Sequence, residues 1–336
     1  MPEGMHMNRP TGYKGIVRFA PLLMVPVLLL LIVGCTDLEP GNPVLPDGFQ
    51  ESQVPDASVK AYVYLKSPEP ISVPVERFVE DPQLRQQLPS EVTIGLWLVW
   101  VGPKPNSFGM GLLFQDSSAL DAVVTKLEQV NSSWDYMSQG DWLYAFKGDT
   151  EWVQAIKSAI RDGRYVEIAD AYPDEWALVQ LLPETPPGQM VAAGFARLDE
   201  EFVTGITETS QGTGSDVKSL IDAVNVKSAA FGLYAEQVPT SLSTFSEDFL
   251  KNMGLSGLVV SKTSYPGFII SFMFGRAASG AGLEKTEIEG GDAQYKALQE
   301  DLHVFIKNFG STFFVAGAAD KASAQTLMES VVAEHD

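Results

Sequence analysis

The chain has 336 residues, 45% of them apolar and 20% charged, with 43 acidic against 23 basic side chains and a formal net charge of −20. That balance repels polyanions and so excludes nucleic acid as a partner, while the apolar content suffices for one large domain or two smaller ones. A single cysteine, Cys35, leaves no material for an internal disulfide, a thiolate metal site or a redox pair.

At the N-terminus Arg9, Lys14 and Arg18 face only Glu3, which makes a basic leader of the kind retained on the cytoplasmic side of a membrane. An apolar run of 15 residues follows from Phe19 to Val33, with Pro26 inside it. A spanning helix needs roughly 20 residues to cross about 30 Å of hydrocarbon, so the run suits the core of a signal peptide better. It stops at Leu31-Ile32-Val33-Gly34-Cys35 and gives way to acidic, proline-bearing chain.

That junction resembles the lipobox of bacterial lipoproteins: an aliphatic residue three before the cysteine, a small residue next to it, then Cys. The resemblance covers the N-terminal segment alone and assigns the body to no family. It implies cleavage after Gly34 and a diacylglycerol thioether, with palmitate-type acyl chains, on Cys35. The alternative is an uncleaved anchor, which leaves the bulk of the chain outside the cytoplasm all the same. Each buried methylene contributes about 0.8 kcal/mol, so two or more acyl chains hold a protein stably at a membrane.

Removing residues 1–34 leaves 20 basic and 42 acidic residues, a formal charge of −22 over 302 residues. Attachment to the membrane must then come from lipidated Cys35 rather than from the protein surface. Residues 35–58 hold Pro40, Pro43, Pro46 and Pro55 with Gly41 and Gly48 and show no apolar period, which predicts a flexible tether that keeps the body away from the bilayer.

Taken in chain order, "KAYVYLK" at 60–66 predicts a strand, and Asp81-Pro82 opens a short helix. "VTIGLWLVWV" is apolar on both alternating faces, a strand covered on both sides, and "GMGLLFQ" returns from it. Residues 117–130 place Leu120, Val123, Val124, Leu127 and Val130 on one helical face. "WLYAFKG" is a strand, and Asp149 caps a helix with Trp152, Val153, Ile156, Ala159 and Ile160 inward, stopped at Asp162-Gly163. In the next stretch "WALVQLL" reads as a strand, "QMVAAGFARLDEEFVTGI" fits either helix or strand, and a helix follows Ser215.

"AAFGLYA" is then a strand, and Thr244 opens a helix with Phe245, Phe249 and Met253 inward. "GLVVSKTSYPGFIISFMFG" is a hairpin turning at Tyr265-Pro266-Gly267. Leu298, Leu302, Phe305, Ile306 and Phe309 have helical spacing up to Gly310. "TFFVAG" is a strand, and Asp320 caps a last helix carrying Ala324, Leu327, Met328 and Val331.

The two halves share this order, and Trp142 to Asp149 repeats the seven-residue interval of Phe313 to Asp320. The expected fold is therefore α+β: two tandem ferredoxin-like β-α-β-β-α-β units, an internal duplication, joined by an intervening α/β segment. The expected divisions are a signal peptide over 1–34, the tether over 35–58, a first unit over 59–170, a connecting segment over 171–226 and a second unit over 227–336.

Chemistry is sparse. Only His303 and His335 lie beyond the leader, the first expected at the boundary of a helix and the second beside the C-terminus. "GLSGL" at 254–258 lacks the second glycine of a nucleophile elbow, and "GTGSDV" at 212–217 lacks the last glycine of a dinucleotide loop. Acidic clusters at Asp199-Glu200-Glu201 and at Glu284, Glu287, Glu289 and Asp292 could serve paired-acid hydrolysis or calcium, though solvated helix ends explain them as well. All six tryptophans fall between residues 97 and 176; Trp97 and Trp100 must face opposite sides of their strand, and Trp134 is the best placed for exposure.

No catalytic, cofactor-binding or metal-ligating residue is assigned, and no cofactor is expected. The reading is a non-enzymatic, lipid-anchored extracytoplasmic protein whose body binds an unidentified protein or small molecule at the cell envelope. The rivals are a solute-binding lipoprotein of a transporter and a carboxylate-dependent hydrolase.

Overall fold

The computed structural model describes residues 38, 40–49, 54–74, 91–104, 106–115, 120, 124–125, 127–128, 134–198, 226–236, 254–263, 282–299 and 302–335. In chain order the strands and helices of the first half are β1 (Val54–Pro55), β2 (Ala61–Pro74), β3 (Glu91–Val101), β4 (Phe108–Phe114), β5 (Asp135–Gln139), β6 (Trp142–Lys147), α1 (Thr150–Arg161), β7 (Tyr165–Val166), α2 (Ile168–Ala171) and α3 (Pro173–Val179). They are followed by β8 (Gln189–Arg197), β9 (Val226–Ala235), β10 (Leu255–Thr263), β11 (Glu284–Ile288), β12 (Gly291–Gln299), β13 (Leu302–Phe309), β14 (Thr312–Ala318) and α4 (Lys321–His335). Strands β1 and β7 pair with each other, and the other 12 form one sheet in the order β11-β12-β13-β14-β10-β9-β8-β2-β3-β4-β6-β5.

This overturns the ferredoxin-like expectation. A split βαβ motif sets two strands joined through a helix side by side and parallel, whereas every pairing in this sheet is antiparallel. Two misread segments led there. Leu302, Phe305, Ile306 and Phe309 belong to strand β13, where Val304, Phe305 and Ile306 are consecutively buried. A strand covered on both faces shows no period of two, and chance spacing then imitates a helix. Conversely "WALVQLL" is mostly helix α3, whose start is marked by Pro173 at the first position and by Asp174 and Glu175 in the first turn.

The strand order is nevertheless mirrored about the β2–β8 pair. Outward from it run β2, β3, β4, β6 and β5 on one side and β8, β9, β10, β14 and β13 on the other, with β12 and β11 added beyond. In each half the last hairpin strand leads into a helix capped by aspartate. Asp149 accepts a hydrogen bond from Trp152 N at 3.1 Å, and Asp320 from Ser323 N at 2.9 Å. The seven-residue interval in the sequence traces this arrangement.

Helices α1–α4 lie on one face. Helix α1 buries Trp152, Val153, Ile156, Ala159 and Ile160, as its spacing predicts. Helix α4 buries Ala324, Leu327, Met328, Val331 and Val332. They join strand residues such as Trp100, Tyr144, Phe146 and Phe314 in one continuous core, where each fully buried Leu, Met, Val or Phe side chain contributes about 1.5–3 kcal/mol. The reverse face carries Ile94, Leu112, Phe114 and Leu143, packed with Leu120, Val124, Leu127 and Trp97. Leu120, Val124 and Leu127 are helical, in agreement with the predicted helix over 117–130, and Trp97 and Trp100 do point to opposite sides.

Pro68 and Pro70 stand inside β2 because the ladder is interrupted there: Lys66 faces Leu96 and Ile71 faces Ile94, so the prolines fall in a bulge that asks no N–H of them. The predicted strands at 60–66, 92–101, 109–115, 142–148, 229–235 and 312–317 are present, and "MVAAGFAR" resolves to strand β8. Strands β5, β11 and β12, which no periodic pattern marked, complete the two ends of the sheet. The helices expected at Asp81, Ser215 and Thr244 and the return strand after Gly267 lie outside the described residues.

The stretch expected to be a loose tether is in large part fastened to the body. Phe49 is fully buried, stacked at 6.3 Å on Tyr62 and 6.4 Å on Trp176 and edge-on to Tyr64 at 5.7 Å. Leu38 and Leu45 pack on the same core, and Pro43 and Pro46 are buried. Gly41 N donates to Gln180 O at 3.0 Å, Asn42 N to Glu184 Oε1 at 2.7 Å and Tyr64 Oη to Asp47 O at 2.7 Å. Farther on, Trp152 Nε1 donates to Ser58 O. Prolines that read as markers of disorder act here as rigid, apolar contact points.

Two stability predictions follow from these contacts. A Cβ at Gly194 would lie 2.2 Å from Tyr62 O and 2.4 Å from the Phe231 ring, while one at Gly95 meets nothing within 4 Å. Gly194→Ala should therefore lower the urea midpoint by the equivalent of about 1–3 kcal/mol, and Gly95→Ala should leave it nearly unchanged. The Asp320 carboxyl is held below its ordinary 3.8, chiefly by the Ser323 N–H. Its folded form thus binds a proton less readily than the unfolded chain, so the stability it adds is present above pH 3.8 and lost as pH falls through the lowered value. Asp320→Asn keeps a capping oxygen and should flatten that part of the acid-denaturation curve.

Candidate functional site

Among the described residues, those singled out in the sequence do not converge on one site. Glu284, Glu287, Glu289 and Asp292 lie on the β11–β12 hairpin at the end of the sheet, all exposed. Lys285 pairs with Asp292, and the Glu329 carboxylate accepts from Glu289 N. Charged side chains along an edge strand discourage pairing with a foreign strand, which accounts for them without a ligand. Asp199, Glu200, Glu201, the 212–217 loop, Gly34 and Cys35 lie outside the described residues. Among the described residues no group of three or more His, Cys, Asp or Glu side chains is placed to hold a metal ion.

His303 is on strand β13 rather than on a helix and is half-buried. Its Nδ1 lies 2.9 Å from Tyr295 Oη, the two rings are nearly parallel, and Lys321 Nζ stands 4.3 Å from the centre of the Tyr295 ring. This contact fixes the imidazole, while the neighbouring Asp320 oxygen is committed to capping α4. His335, in the last turn of α4, rests on Phe314 and Phe309 with Nε2 3.4 Å from Leu181 O. "GLSGL" forms the turn into β10, and its Ser256 is buried within a regular strand ladder. Trp134 is partly covered, edge-on to Phe108 at 5.9 Å with Lys147 over its ring.

What the sequence did not announce is a buried ion pair. Glu175 is 2% exposed and lies on the inward side of α3. Arg197, at the end of β8, grips it with both arms: Nε to Oε1 at 2.8 Å and Nη2 to Oε2 at 3.2 Å. Ser228 Oγ, from β9, adds a third bond to Oε1 at 2.8 Å. The guanidinium lies 4.7 Å from the centre of the Tyr172 ring, and burial pushes the Tyr172 hydroxyl up. Arg197 is raised above its already high value, first by its hydrogen bond to Glu175.

A planar fork meeting a carboxylate in two parallel bonds is the strongest form of such a pair, and here it bolts α3 to the two central strands of the sheet. Paired-acid hydrolysis would need a second carboxylate across a cleft, but the neighbouring Asp174 is exposed and Glu175 has both oxygens occupied. The sole signal in the sequence was "YPDEW", a helix start that also sets an acid at an inward position.

No protein-family model matches the chain, and no curated protein matches it in sequence. Among solved structures, crystal form III of TP0453 aligns over 82% of this chain and 96% of its own, at 9% identity and a TM-score of 0.38. Crystal form I of TP0453 aligns over 86% and 100%, at 8% identity and a TM-score of 0.37. Likeness at this level is distant, and no property of this chain follows from it.

Loss of Arg197 leaves a buried charge without a partner. Arg197→Met should cost about 3 kcal/mol, the low end for broken buried pairs, since the guanidinium is 42% exposed. In a double-mutant cycle with Glu175→Gln, urea midpoints should show the two changes to be strongly non-additive.

Proposed function

We propose that the chain is a lipid-anchored extracytoplasmic protein, fastened to a membrane through Cys35, whose body binds a partner at the cell envelope. The observation that carries this reading is the sequence order at the N-terminus: a basic leader, an apolar run too short to span, and Gly34-Cys35, with that cysteine the only one in the chain. No helix among the described residues is long and apolar enough to cross a membrane. The lipidated thiol is then the attachment, and the acidic surface adds no attraction to anionic lipid.

For the body, the sheet favours a macromolecular partner over an enclosed solute. Small-molecule sites occur preferentially in clefts between domains, and the 12 strands follow one another in a single hydrogen-bonded sheet. Of the acids considered for hydrolysis, Glu284, Glu287, Glu289 and Asp292 are solvent-exposed on one edge hairpin.

The test is metabolic labelling with a palmitate analogue in a bacterial host. The native chain should take up label and partition with membranes. Cys35→Ala should take up none and migrate as the unprocessed precursor. A Cys35→Ala chain that still carries label would overturn the assignment.

A further inference from the structure

A leash only a few residues long reaches from the proposed anchor to the first contact on the body. Thr36 and Asp37 alone separate Cys35 from Leu38, and Leu38 packs on the core. Three residue steps span at most about 10 Å even when fully extended. Beyond Leu38 the chain is held at every few residues: Gly41 to Gln180, Asn42 to Glu184, Asp47 to Tyr64, and Phe49 among three aromatic rings.

The strap lies on the helical side of the sheet, and its outer surface has one feature the rest lacks. Val44 is 60% exposed, the one exposed large apolar side chain among the described residues. It sits between Pro43 and Leu45, which face inward, so the strap turns Val44 away from the body. An isolated exposed valine is ordinary on a protein surface. Here it stands within nine residues of the lipid attachment point.

We infer that residues 38–49 clamp the body flat against the bilayer, with the Val44 surface of the strap on the lipid headgroups and the reverse face of the sheet directed away. The inference rests on the anchoring of Cys35. It makes the strap an orienting device: the acyl chains supply the affinity, and the strap converts a flexible attachment into a defined pose. A partner then meets the reverse face and the two ends of the sheet, and the helical layer is screened by the membrane.

The experiment uses the full lipidated chain in phosphatidylcholine vesicles containing a trace of rhodamine-labelled lipid. A donor dye is placed on Val44→Cys in one preparation and on Lys227→Cys in another. Lys227 is exposed and follows the opposite direction from Ser228, which faces the helices. Energy transfer to the lipid should be clearly stronger from position 44 than from position 227. A long Gly/Ser insert between Asp37 and Leu38, flexible by composition, should reduce the difference. Phe49→Ala should reduce it too by freeing the strap, with near-ultraviolet circular dichroism confirming that the body stays folded.

Equal transfer from both positions, in protein that is lipidated and vesicle-bound, would overturn the clamp and leave the anchor standing. A difference that survives the long insert unchanged would also overturn it. Failure of the processed chain to bind vesicles at all would overturn the anchor reading, and the clamp with it.

Discussion

The structure depends on the antiparallel contact between β2 and β8, where Ala61–Leu65 lie against Ala192–Ala196. This seam joins two sets of strands that otherwise end at their own edges. It is built of small residues on the β8 side: Ala192, Ala193, Gly194 and Ala196 leave room for Tyr62 and for the ring of Phe231 from the next strand. Backbone atoms press closest at Gly194, where no side chain has space. Large aromatic groups are thus accommodated by local smallness, and the sheet runs across the seam without a break.

Once the seam is closed, sidedness follows. Helices α1 to α4 gather on one face because the alternation of the central strands directs Tyr62, Trp100, Phe195, Tyr234 and Leu258 to the same side. Interdigitated aromatic rings pack this layer, among them the ladder Trp142, Tyr144 and Phe146 at 5.7 and 6.2 Å spacings. The Glu175–Arg197–Ser228 latch is the single buried charged group among the described residues. Its bidentate geometry gives direction to a layer that apolar packing alone would hold less specifically.

The functional picture joins this body to its N-terminal segment. Chain that composition alone marks as loose is spent on contacts: prolines seat in the helical layer and Phe49 enters an aromatic box. The expected tether and the folded body are therefore not separate regions in sequence, for residues 40–49 belong to the surface of the body. Residues 35–336 carry a formal charge of −22, and such a surface gains little from anionic lipid by electrostatics. In the proposed anchoring through Cys35, pose beside a bilayer would be set by covalent attachment and by the length of free chain.

Single elements with strong local signals were readable in the sequence. Asp149 and Asp320 announce their helices because a capping carboxylate acts within three residues, and the inward stripe of α1 is spelled out by its 3.6-residue period. The proposal at the Gly34-Cys35 junction rests on local chemistry alone and lies outside the described residues. Leu302–Phe309 was not readable as a strand, because burial on both faces erases the alternation that distinguishes strand from helix. Nor could any local pattern disclose that Arg197 would meet Glu175, 22 residues away, or that Phe49 would be enclosed. Sequence by itself determined the capped starts of α1 and α4 and the apolar face of α1. Tertiary structure alone decided the pairing of strands, the latch and the strap, since each is a contact between distant residues whose partners are selected by shape and exclusion of water.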